Sequence, residues 1–133
     1  MKLTELTYLL LRVVSGLLFF QAGSVKFLGW FGGVPAEFGG QPALTSLLGI
    51  GGIMEFFGGI LIMLGCFTRP VAFLLSGEMA VAYFKFHQPD GFWPVQNHGG
   101  EAVLFCFIFL YMAARGGGDF SVDGLRKSKR AGA

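Results

Sequence analysis

The chain has 133 residues, 53% of them hydrophobic and 14% charged, where soluble domains carry about 25% charged residues. With 16 Phe and 22 Gly, this excludes an ordinary water-soluble domain and points to an integral membrane protein, in whose helices glycine is frequent. The net charge is only +2, and Arg126, Lys127, Lys129 and Arg130 crowd into the last eight residues, so the cations form a basic end rather than a nucleic-acid surface.

Residues 1–5 form a short polar lead. The run over about 6–30 is apolar enough to cross a hydrocarbon layer of about 30 Å at 1.5 Å per residue, which predicts a first spanning helix. A cleaved signal peptide is the competing reading, but Arg12 interrupts the apolar region and no clear small-residue cleavage pattern follows. Residues 31–42, FGGVPAEFGGQP, hold paired glycines, two prolines and no Lys or Arg, the pattern of a loop on the outer side.

A second helix is predicted over about 44–66. The FTRP connection over 67–70 is tight: Thr68 is placed to cap the next helix and Pro70 suits its first turn. Helices joined this closely are antiparallel neighbours. The third helix runs over about 70–86. The loop over 87–98, again without Lys or Arg, sets Trp93 at the same interface as Trp30.

The fourth helix runs over about 99–115, with Asn97 or His98 as cap and Gly116 to Gly118 ending it. The expected architecture is all-α: a four-helix transmembrane bundle with both termini cytoplasmic. The membrane domain covers 1–118, and 119–133 is a basic cytoplasmic tail whose neighbours are anionic lipid headgroups.

Within these helices the ionisable residues stand out. Glu55 sits near the centre of GIGGIMEFFGGILIMLG, where a charge costs about 2.5–3.5 kcal/mol unless it is paired, protonated or solvated. Gly51 and Gly58 share its face, so the acid points at a close-packed helix rather than at lipid. The first helix lines up Arg12, Gly16, Gly23 and Lys26; the third lines up Glu78, Ala82 and Lys85; Glu101 opens the fourth.

Three cations, Arg12, Lys26 and Lys85, thus stand against three acids, the balance a buried network needs. At 1.5 Å per residue Glu55 and Glu78 lie about 15 Å and about 12 Å from their helix ends, near the midplane, and Arg12 about 9 Å from the inner end. The prediction is a buried polar network of Arg12, Glu55 and Glu78. An outer polar layer of Lys26, Lys85, His98 and Glu101 lies nearer the surface, with Gln21, His87 and Asn97 beside it.

Each of these has a plainer reading. The midplane residues are equally able to lock helices together, Glu101 to complement a helix dipole, and the two histidines to be exposed loop residues. No metal site is expected, because His87, His98 and Glu101 lack an established ligand spacing. Cys66 and Cys106 form no two-residue-spaced redox pair and read as small buried hydrophobes.

The stretches LLRVVSGLLFFQAGSVKFLGWFGG, GGIMEFFGGILIMLG with TRP after it, a Glu in the third helix, and NHGGEAVLFCFIFLYMAARGGGDFSVD occur in that order. This pattern resembles the DoxX family of small four-helix membrane proteins, from roughly Leu9 to Asp123. The resemblance carries over Arg12, Glu55, Glu78 and Glu101, and assigns no catalytic residue. It implies a quinone-linked role, since family members resemble subunits linked to quinol oxidase and to thiosulfate:quinone oxidoreductase.

The functional expectation is a multi-pass protein of the plasma (inner) membrane, acting as a quinone-linked, redox-associated subunit. Quinone is the one candidate cofactor, none being intrinsic to the sequence. Expected partners are membrane lipids and other membrane or redox subunits, or further copies of the chain, and not nucleic acid. The alternative is a non-catalytic structural or assembly subunit of a membrane complex, with a small transporter behind it.

Overall fold

A computed structural model describes residues 2–132, and all its regular elements are helical. They are α1 (Leu3–Leu28), α2 (Leu47–Leu64), α3 (Thr68–Ala82), the single turn α4 (Pro94–Asn97), α5 (Gly100–Arg115) and α6 (Val122–Gly132). The expected helices are all present, each with shifted ends. The first starts earlier, at Leu3; the second begins at Leu47, where Ser46 accepts a hydrogen bond from the Gly49 N–H as N-cap. The third ends as α-helix at Ala82 and continues as a π-helical turn over Tyr83–His87. The basic end is itself a helix, α6.

Thr68 is the first residue of α3 rather than its cap. The cap comes from far along the chain: Asp123 accepts from the N–H groups of Phe67 at 3.0 Å and Thr68 at 2.9 Å. This satisfies two of the donors a helix start leaves open, and it holds Phe67 in the left-handed region at φ 51°.

Glycines dictate how α1 meets α2. A Cβ on Gly16 would come within 2.7 Å of the Gly59 carbonyl oxygen, one on Gly23 within 2.2 Å of the Phe56 nitrogen, and one on Gly59 within 2.4 Å of the Phe20 nitrogen. Only hydrogen atoms fit at such approaches, so the two backbones lie almost in contact, antiparallel, with Arg12 level with Met63 and Lys26 level with Gly52. The other glycine face of α2 receives α3: Leu75 packs on Gly58 and Glu78 stands against Gly51. The sequence expectation that Glu55 lies on a helix-facing stripe holds, and Glu55 is only 2% exposed.

The core draws Phe19 from α1, Ile62 from α2, Leu75 and Met79 from α3, and Phe105, Phe109 and Met112 from α5. Phe19 locks α1 to α5 edge-on, its ring 5.0 Å from Phe105 and 4.6 Å from Phe109. Ser76 donates to the Cys106 carbonyl at 2.7 Å and ties α3 to α5.

Polar residues, Arg12, Ser15, Ser24, Glu55 and Asn97 among them, are buried, while Leu10, Val14, Phe57, Phe73, Phe84 and Phe107 are exposed. Large apolar side chains facing outward around a partly polar interior suit a lipid surround rather than water. α1 and α2 are long and apolar enough to cross a membrane.

Candidate functional site

Lys26 and Glu55 form the centre of the site. The lysine Nζ stands 2.7 Å from one carboxylate oxygen of Glu55 and 3.0 Å from the other. The lysine can reach because Gly52, one turn before Glu55, has no side chain: a Cβ there would lie 2.6 Å from the Lys26 Cβ. Lys26 therefore turns inward to Glu55, although a lysine near a helix end is long enough to snorkel to the surface.

Glu78 of α3 completes the group. Its carboxyl stands against Gly51 of α2, one turn before Glu55, and lines the same cavity. Its Oε1 is buried and finds no hydrogen-bond donor. Two carboxyls, Glu55 and Glu78, thus line one cavity with a single ammonium, that of Lys26.

Arg12 is not part of this group, which corrects the expected network of Arg12, Glu55 and Glu78. The antiparallel pairing sets Arg12 level with the C-terminal end of α2, eight residues and so about 12 Å along the helix from Glu55. Helix ends leave carbonyls without partners, and Arg12 takes them. It donates from Nε to Ile62 at 2.9 Å, and from its two terminal nitrogens to Met63 at 3.2 Å, Gly117 at 2.7 Å and Phe120 at 2.9 Å. Buried to 2% exposure, it pins α2 to the glycine-rich segment after α5. Tyr8 donates to the Gly116 carbonyl, and Glu5 accepts from Arg115 and from the Asp119 N–H, so this whole end of the helices is knitted around that segment.

The expected outer layer divides. His98 and Glu101 line the same cavity as Lys26, Glu55 and Glu78, as does His87, whose Nδ1 lies 3.1 Å from the Asn97 carbonyl. Lys85 does not join them: it is exposed and lies beside Ala80, Val81 and Phe84 on another face. Asn97 is buried and structural, donating to the Gly91 carbonyl at 2.7 Å and accepting from Gly99 at 2.8 Å.

The cavity has a volume of about 680 Å³. Its walls are largely apolar, with Phe19, Leu48, Met54, Phe73 and Phe105 among them, and its charged or titratable lining groups are Lys26, Glu55, Glu78, His87, His98 and Glu101. This is the makeup of a small-molecule site, apolar with a few convergent polar groups. The residues sequence reasoning missed are Lys26 as the partner of Glu55 and Gly77, which lines the cavity from α3. Lys26 shares a helical stripe with Arg12, but a stripe does not say which cation meets which acid.

Among the described residues no group of three or more His, Cys, Asp or Glu is arranged to hold a metal ion. No solved structure matches the chain. It is 39% identical to an uncharacterized protein of Haemophilus influenzae over 118 residues, 85% of each chain. It is 32% identical to an uncharacterized membrane protein of Mycobacterium tuberculosis, over 91% of this chain and 81% of that one. Identity to the inner membrane protein YqjF of Escherichia coli is 30%, over 96% and 98% of the two chains. The DoxX family model matches residues 7–88, the span that contributes Lys26, Glu55 and Glu78, and this membrane protein belongs to the DoxX family.

Proposed function

We propose that this chain is a multi-pass inner-membrane protein whose cavity binds a quinone-type ring, and that it serves as a redox-associated subunit working with a partner protein. The observation that carries the reading is the Lys26, Glu55 and Glu78 trio set in the wall of an apolar cavity of about 680 Å³. A buried ionisable group in a membrane protein marks a functional site by default.

The residues fit such a ring. Phe105, Phe73 and Met54 offer flat or adaptable apolar contact, and the unpartnered Glu78 Oε1 offers a hydrogen-bonding position. When bound, quinone supplies the redox couple, its reduction taking up two electrons and two protons. The chain's own part is to seat the ring beside Glu55 and Glu78, to keep the charges compensated through Lys26, and to connect them toward Glu101 and His98. Electrons come from the partner.

In this reading the chain makes four spans with both termini inside, and the placement of its cations supports this. Arg69, Arg115 and the cations of α6 gather at one end, while the segments 29–46 and 88–99 at the other contain no Lys or Arg. From Thr68 to the end of the π turn at His87 the third helix has about 20 residues, which spans about 30 Å.

A second reading, a non-catalytic assembly subunit, is favoured by Arg12, whose donors all go to main-chain carbonyls and serve packing alone. Purification in mild detergent with chromatographic assay of extracted quinone separates the two. The quinone reading expects bound quinone in the folded wild type and its loss in a Lys26→Met, Glu55→Gln double variant that still folds. A folded wild type without quinone, or a double variant that keeps it, leaves the assembly reading standing.

A further inference from the structure

The cavity meets its surroundings in two places of different character. At the outer end stand His98 and Glu101, polar and exposed. Along the flank between α2 and α3 it is edged by Ile50, 46% exposed, and by Phe73, Leu74 and Val81, between 51% and 63% exposed.

Gly77 lies on that same stripe of α3, three residues after Leu74 and four before Val81. A Cβ added to it would meet nothing within 4 Å, whereas every glycine of α2 has a neighbour at 3.2 Å or less. A glycine inside a helix costs about 0.5–1 kcal/mol relative to alanine. In α2 close packing explains the glycines; at Gly77 there is no packing to explain it, only open space beside Glu78.

We propose that the cavity is filled sideways from the lipid phase, through the gap between α2 and α3, and that Gly77 keeps this gap open. The occupant is a membrane-dissolved amphiphile. Its hydrogen-bonding head meets Glu78, and its apolar tail stays along Ile50 and Leu74 at the lipid boundary. The rim is apolar where lipid touches it, so the entrance carries no desolvation cost for such a molecule. The polar end at His98 and Glu101 is left for water and protons. This inference deepens the quinone reading but rests only on its first part, that the cavity is a binding site.

The test places a reporter thiol in the cavity and asks which phase reaches it. With Cys66→Ala and Cys106→Ala removing the native thiols, Ala22→Cys puts one on the α1 wall. The full chain in lipid nanodiscs is treated with pyrenyl maleimide, which dissolves in the bilayer, or with a charged methanethiosulfonate reagent in the water. Pyrenyl maleimide is expected to label the thiol, and Gly77→Leu to slow it by about fivefold or more, an entry barrier raised by roughly 1 kcal/mol.

His98→Trp, which crowds the aqueous end, is expected to leave that rate within about twofold. Because a Cβ at position 77 meets nothing within 4 Å, the variant is expected to fold, and a melting temperature no lower than that of the wild type checks this. A smaller effect of Gly77→Leu, no labelling by the lipid-soluble reagent, or a dominant effect of His98→Trp overturns the proposal. Labelling that depends on residue 77 in a chain carrying no quinone keeps the side entrance and removes the quinone; the opposite pattern does the reverse.

Discussion

Lys26 of α1 grips both carboxylate oxygens of Glu55 on α2, at 2.7 and 3.0 Å, across an interface that Gly52 leaves open for it. The pair is shielded unequally, the glutamate side chain 3% exposed and the lysine 26%. Removing one partner strands a charge in a poorly solvated place, while removing both charges leaves a neutral contact of similar shape.

Lys26→Met is therefore expected to lower stability by about 3 kcal/mol, the smaller end of the range for a broken buried pair because the lysine is partly wet, and Glu55→Gln by less, because Glu78 remains in the same cavity as the lysine. The double variant is expected to recover most of that loss. Reversible unfolding in mixed detergent micelles measures it, and strictly additive losses would show that the two side chains do not act as a pair.

Arg12→Lys keeps the charge of Arg12 but not its fork of donors. Of the four carbonyls that Arg12 serves, a lysine reaches fewer, and each bond from a charged group contributes about 1.5–3 kcal/mol. The same unfolding assay is expected to show a loss of about 2 kcal/mol or more, with quinone binding in the surviving folded fraction unchanged. Equal stability in Arg12→Lys would mean that the guanidinium fork is dispensable.

Two glycines on different helices predict opposite outcomes for one substitution. Gly59→Ala drives a methyl group into the Phe20 and Gly16 backbone, 2.4 and 2.6 Å away, and is expected to cost about 1–3 kcal/mol or to prevent folding. Gly77→Ala meets nothing within 4 Å and is expected to gain about 0.5–1 kcal/mol from reduced backbone freedom. Melting temperatures that move the same way in both would refute the packing described for α1 and α2.

Asp123 gives the helix end it caps a pH dependence. Burial works against its charged form, but the N–H donors of Thr68 and Phe67, with Arg126 nearby, outweigh it and hold the carboxyl below its ordinary range. A group whose folded pKa is depressed contributes stability above its unfolded pKa, near 3.9, and loses it as pH falls through the lower folded value. At neutral pH Asp123→Ala is expected to cost about 0.5–2 kcal/mol, as loss of a helix cap does. The gap between wild type and variant in melting temperature should narrow as pH drops below about 4, and a gap that widens there would contradict the capping role.

Much of the fold was legible because its signals are local. The apolar helical runs and the glycine face beside Glu55 are each properties of a single helix, and the structure has helices at these places. The partner of Glu55 was not legible, because it depends on the register between α1 and α2. That register is set by reciprocal contacts of Gly16, Gly23, Gly52 and Gly59, and a single helix pattern does not contain it. It moved Arg12 about two turns away from the acids and put Lys26 beside them.

The cap on α3 escaped for a similar reason. Asp123 is 55 residues from Thr68, and local reading looks for a cap next to the helix it serves. The α6 helix was hidden by composition, since a charged run past a glycine triplet also describes a solvated end.

The central claim, that the cavity holding Lys26, Glu55 and Glu78 is a quinone site, meets its most direct test in photolabelling. A photoreactive quinone analogue with a short alkyl tail is added to the full chain in lipid nanodiscs, irradiated, and the modified peptides are identified by mass spectrometry. The account predicts labels on the α2 and α3 residues lining the cavity, between Leu47 and Glu55 and between Phe73 and Ala82. They should be displaced by unlabelled quinone and largely lost in Glu78→Gln. Labels scattered over the outer apolar surface, or cavity labels indifferent to competitor and to Glu78→Gln, would contradict it.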